Sequence, residues 1–153
     1  LERYMHPMAM DATTSVQNAF FQFMIGNTDF STAYQHNGKL LYINKLIIPL
    51  PYDFDMTGWV NPSYQVVNET LNISSVKDRK YRGFKRDVDV FNKVREEFLS
   101  NKNTLVELLN SYEQDFDDPK EFAESKKFLN SFYEVIEGDK SFKKQIVDAA
   151  RVK

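Results

Sequence analysis

The sequence predicts an α+β fold that is mainly α-helical, with one short β-hairpin in its first half and about four helices in its second. Three observations carry this expectation. Apolar residues recur three and four apart through the second half, as in Val88, Phe91, Val94 and Phe98, which marks one face of an α-helix. KLLYI (39–43) and KLIIPL (45–50) are β-compatible runs on either side of Asn44, the pattern of a hairpin. Charge divides in the same way: residues 1–75 hold three Lys/Arg and six Asp/Glu, whereas residues 76–153 hold 17 and 16.

Taken in order, Thr13 or Thr14 caps a first helix that runs to about Ile25, with Val16, Phe20, Phe23 and Met24 on one face and Gly26 ending it. The polar loop GNTDFSTAYQHN (26–37) follows, then the hairpin, in which Pro49 and Pro51 limit the second strand's ladder. An acidic loop, PYDFDMTG (51–58), comes next. Beyond it, Lys77 to Arg86 holds six cations and one acid. The later helices show as stripes: Val88 to Phe98, then Leu105, Leu108, Leu109 and Tyr112, then Phe122, Leu129, Phe132 and Ile136, then Phe142, Ile146 and Ala150. Asp117 or Asp118 before Pro119 starts one helix, Gly138 closes it, and Asp139 or Ser141 starts the next. Aromatics at this spacing are expected to be core.

At 153 residues and 18.0 kDa, one core burying roughly 70% of the unfolded surface is expected, so residues 1–153 read as a single domain. The chain is 42% hydrophobic and 14% aromatic, too apolar for a disordered segment. A net charge of −2 and a pI near 5.7 supply no global field for nucleic acid. The absence of cysteine removes disulfides, thiolate zinc sites and a cysteine nucleophile. No apolar run approaches the ~20 residues of a spanning helix. The opening LERYMHPMAM has no signal-peptide pattern and does not begin with Met; it reads as a cut made inside a longer protein.

The chemistry lies in two turn-rich segments that hold Asp29, Asn37, Asp53 and Asp55. Two readings are open. Asp and Asn are common turn residues, so all four can simply shape loops. If the hairpin doubles back, however, its far end brings Asp53 and Asp55 near Asp29 and Asn37. Mg²⁺ takes one or two carboxylates, phosphate oxygens and water, and a side-chain amide can join them. Asp53 and Asn37 suit that role, and Asp29 is placed to align an acceptor hydroxyl. His36 either orients the loop or touches phosphate, or is a partly buried ring bonded to backbone. Arg79, Arg82, Lys85 or Arg86 form an anion clamp for a substrate phosphate or an acidic substrate, or belong to a solvated helix face whose side chains snorkel over Tyr81 and Phe84. Trp59 and Tyr64 offer a substrate platform or pin a loop to the core. Asn68-Glu-Thr70 and Asn72-Ile-Ser74 match the glycosylation acceptor pattern.

FFQFMIGNTDFS, HNGKLLYI and PYDFDMTG together resemble the catalytic half of the spore-coat H type of kinase-like proteins, and more distantly the bacterial persistence-toxin kinases. The resemblance covers about residues 13–84 and implies a protein-kinase-like C-lobe. It makes Asp29 the catalytic aspartate, Asn37 and Asp53 metal ligands, and Asp55 the second acid of the metal pair. ATP with Mg²⁺ or Mn²⁺ and an unidentified hydroxyl acceptor are the implied partners. SSVKDRKYRGF (74–84) also resembles a recurring segment of bacterial proteins, with cytoplasm and cell envelope both open as locations.

The chain departs from that family pattern in two ways. Asp29 and Asn37 are eight apart, where ordinary protein kinases use five, so the loop must bulge. No lysine precedes Lys39 and no glycine precedes Gly26, so the strand lysine and phosphate-covering loop of a nucleotide lobe are missing. The isolated chain is therefore expected to be inactive, to lack an N-terminal lobe, and to self-associate through apolar surface along residues 13–25 and 39–50. The alternative is a non-catalytic helical interaction domain, or a pseudokinase.

Overall fold

A computed structural model describes residues 4–67 and 69–152. The fold is α+β, with five α-helices and one two-stranded antiparallel sheet among the described residues. Asn68 of the first acceptor pattern lies outside them. None of the helices is long and apolar enough to cross a membrane.

Helix α1 (Ala12–Ile25) begins two to three positions earlier than a Thr13 or Thr14 cap would start it, because Asp11 is the cap. Its carboxylate accepts the Thr14 N–H at 2.9 Å, satisfying one of the donors a helix start leaves free. At the other end Gly26 takes φ +67° and its N–H returns to the helix carbonyls, a left-handed stop that only glycine adopts without cost. Val16, Ala19, Phe20, Phe23 and Met24 are all buried.

Strands β1 (Gly38–Ile43) and β2 (Leu46–Pro51) pair from Ile43↔Leu46 back to Gly38↔Pro51. Asn44 and Lys45 both have positive φ, 50° and 63°, as the tight turn of a two-residue hairpin requires. The prolines do not limit the ladder as expected. Tyr52 N donates to Asn37 O, and paired bonds alternate along an antiparallel ladder, so Pro49 and Pro51 fall at positions whose missing N–H would point away from β1. On that outer edge the Ile47 carbonyl accepts from Asp11 N at 2.9 Å. The β2 edge is thereby sealed, whereas the outward groups of Leu40 and Tyr42 on β1 have no partner among the described residues.

The other helices are α2 (Val88–Ser100), α3 (Lys102–Ser111), α4 (Pro119–Glu137) and the short α5 (Asp139–Phe142), which continues as a π-turn over Lys143–Val147. Asp118 caps α4 by accepting the Lys120 N–H, with Pro119 in the first turn. Gly138 ends α4 with an extended backbone, φ −82° and ψ 122°, not with the left-handed turn its identity suggests. Ser141 does not start α5; its hydroxyl donates back to the Val135 and Gly138 carbonyls.

The core joins α1, α2, α4 and the C-terminal turn. Phe20, Phe91, Val94, Phe132, Tyr133, Ile136 and Ile146 have no exposed surface at all. The stripe on α3 is different: Leu105 and Leu109 pack partly against the core, while Leu108 and Tyr112 are more than half exposed.

Candidate functional site

The loop after α1 is built by short-range bonds. Buried Asn27 accepts the Asp29 N–H on its Oδ1 at 2.8 Å, and Ser31 pairs with His36 in an isolated antiparallel bridge. This folds the segment back so that His36 and Asn37 meet Asp29. His36 Nε2 lies 3.0 Å from Asp29 Oδ1, and Asn37 Nδ2 donates to the Asp29 carbonyl at 2.7 Å and to Oδ2 at 3.1 Å. Gln35 and Asn37 take left-handed backbone, φ 53° and 49°, within this loop. His36 corrects one expectation: its side chain is 58% exposed and its ring meets a carboxylate, not backbone.

The acidic loop is tied to the same place. Asn27 and Thr57 form a second antiparallel bridge, and Gly58 N donates to Gly26 O at 3.0 Å. Asp53, itself left-handed at φ 63°, has its carboxyl held above the ordinary range. A hydrogen bond with Asp55 is the largest cause, followed by the charge of Asp55, with Asp29 adding to it. Asp53 and Asp55 therefore act on each other directly, Asp29 is the weakest of the influences on Asp53, and Asn37 bonds Asp29 alone among the three acids. Tyr64, also exposed, donates its hydroxyl to Asp55 at 3.3 Å. Among the described residues no three His, Cys, Asp or Glu side chains form a ready-made metal cluster.

Arg79 and Arg82 stand elsewhere than a phosphate clamp would. The segment around them is irregular, not helical, and their guanidiniums turn inward to carbonyls. Arg79 donates to Met24 O at 3.2 and 3.1 Å, to Phe128 O at 2.5 Å and to Ser131 Oγ at 2.7 Å, and stacks 3.9 Å from the Phe128 ring. Burial brings its pKa down to about 10; it remains charged at neutral pH. Arg82 donates to the Thr28 carbonyl and, at 2.8 Å, to Phe30 O, bracketing Asp29. Burial lowers its pKa, and the charge of Asp29 partly restores it. Both arginines position the loops from behind. Trp59 packs on Phe128 at 6.0 Å and pins its loop to α4.

Sequence reasoning missed Asn27 and Thr57, which are 2% and 1% exposed and join the two loops. The signal for Asn27 was its place two residues before Asp29, where an Asx side chain meets backbone. Thr57 had none. No protein-family model, curated protein or solved structure matches the chain.

Proposed function

We propose that the chain is the catalytic half of an atypical kinase or related phosphotransferase with a protein-kinase-like C-lobe, moving the γ-phosphoryl group of ATP to a hydroxyl acceptor. The observation that supports this reading is convergence. Two loops separated by a hairpin meet through the Asn27–Thr57 bridge, and the charge of Asp29 reaches Asp53. Turn-shaping alone does not require like charges to be gathered.

In this reading Asp53 and Asp55, with the amide oxygen of Asn37, would hold Mg²⁺ or Mn²⁺. Such an ion accepts one or two carboxylates, completes its shell with phosphate oxygens and water, and offsets charge on the transferring group. Asp29 accepts the hydrogen bond, and then the proton, of the acceptor hydroxyl on a carboxylate oxygen. His36 and Asn37 fix the rotation of that carboxylate by meeting its two oxygens. The lysine and glycine-rich loop over the phosphates would come from outside this chain.

The test is phosphoryl transfer and autophosphorylation by the longest natural polypeptide containing this chain, with Mg²⁺ or Mn²⁺, beside Asp29→Ala and Asp53→Ala. Each variant should lose about 10²–10⁴-fold in rate while keeping its fold. An intact form with neither activity nor metal-dependent nucleotide binding would sink the reading. The second reading, a non-catalytic interaction domain or pseudokinase, is favoured by the left-handed backbone at Asn37 and Asp53, the conformation in which these residue types shape turns.

A further inference from the structure

Four of the exposed large apolar side chains gather at one place. Tyr4, Met8, Tyr34 and Val152 are each more than half exposed, and all line one cleft of about 540 Å³. Single exposed apolar residues need no explanation, whereas a cluster around a concavity does. The Tyr4 and Tyr34 rings lie 5.3 Å apart and tilted by 56°, and Phe84 lines the same cleft.

The charged lining has one sign. Lys85 and Arg151 contribute to it, and no carboxylate does among the described residues. Arg151 is held in place: its guanidinium lies 4.2 Å from the Phe84 ring and its Nε donates to Arg82 O at 2.9 Å. Burial first, and the positive charge of Arg82 second, lower its pKa. The Lys85 backbone is fixed beside it, since Lys85 N donates to Arg151 O at 2.8 Å and Arg151 N to Gly83 O at 2.9 Å. His6 accepts the Met8 N–H on Nδ1 at 3.2 Å, so its neutral ring keeps the proton on Nε2 as a further donor.

We propose that this cleft binds a small anion carrying an aromatic body, with the ring among Tyr4, Tyr34 and Phe84 and the anionic group on Arg151 and Lys85. The volume lies in the range of small-molecule sites. Aromatic walls with one held guanidinium and an exposed lysine beside it match a flat, apolar molecule that has a carboxylate or phosphate at one end. The site adjoins the Asp29 loop from its other side. Ser31 and Tyr34 belong to both, and Arg151 holds the carbonyl of Arg82, whose guanidinium brackets Asp29. Binding stands whether or not the acidic loops transfer phosphate.

The probe is phenyl phosphate, titrated into the full chain by calorimetry and followed by NMR, with inorganic phosphate and phenol as arms carrying only the charge or only the ring. Phenyl phosphate should bind saturably and at least about tenfold more tightly than either arm. Lys85→Glu and Tyr34→Ala, both at exposed positions and checked for fold by circular dichroism, should each weaken it about tenfold. Lys140→Glu makes the same charge change on α5, outside the cleft, and should leave it unaltered. The proposal is overturned if phenyl phosphate binds no better than inorganic phosphate, if no saturable binding is seen, or if Lys140→Glu weakens it as much as Lys85→Glu does.

Discussion

The helical core and the acidic platform are ordered by different means. In the core, Phe20, Phe91 and Phe132 are fully buried and touch one another's neighbours through ring edges and faces, so order comes from apolar area removed from water. In the platform, Asp29, Asp53 and Asp55 are exposed, and order comes from hydrogen bonds: Asx contacts within the loop and arginines reaching carbonyls from behind it. The difference teaches that the platform rests on the core but is specified separately. Its shape can be lost without unfolding the molecule, and the reverse cannot happen.

The largest break in this comparison comes from the core. Phe132→Ala should cost about 3–5 kcal/mol, read as a lowered denaturation midpoint, and should carry the platform down with it. A loss under about 1 kcal/mol would show that the ring is less embedded than its burial states. Next comes the joint between the regions. Arg79→Met removes charge-assisted bonds to Met24 and Phe128 carbonyls and should cost about 2–3 kcal/mol, with amide exchange quickening first at residues 24–31. Uniform quickening across α2 and α4 would instead make Arg79 part of the core.

Asp11→Ala is smaller, about 1 kcal/mol, because it removes one cap. It should also loosen the β2 edge that Asp11 N covers, visible as faster exchange of that amide. Smallest is Asp55→Asn. The Asp53 carboxyl is raised by Asp55, so its folded state holds a proton at higher pH than the unfolded chain does. Its contribution is present at low pH and lost as pH rises through the folded value. Asp55→Asn should bring the NMR titration of Asp53 back toward the ordinary carboxylate range; an unmoved curve would mean that Asp55 is not the cause.

What was legible in the sequence follows this same division. Helix α1, the Asn44 turn and the Asp118–Pro119 start were readable because local chemistry alone sets them. The apolar stripes of α2 and α4 were readable because burial imposes periodicity. The stripe on α3 was not, since Leu108 and Tyr112 repeat at helical spacing yet face water. Along residues 13–25 the expected exposed apolar surface is in fact core, while the hairpin does expose Leu41, Tyr42, Ile43 and Leu46. The inward turn of Arg79, Arg82 and Arg86 was hidden for a physical reason: a run of cations reads as solvated surface until the carbonyls it serves, up to 79 positions away, are known. In the candidate site, Asp29, Asn37 and the Asp53–Asp55 pair stood out by residue type, but the bridge that joins their loops runs through Asn27 and Thr57, whose identities announce nothing.

The hairpin carries a consequence for how copies of this molecule can meet. Pro49, Pro51 and the Asp11 bond close the outer side of β2, while β1 keeps its outward groups. A sheet of this kind has a valence of one. Strand pairing can add a single neighbour across β1, and the added copy presents only its own closed side, so growth ends at two and a continuous fibre cannot be built along this sheet.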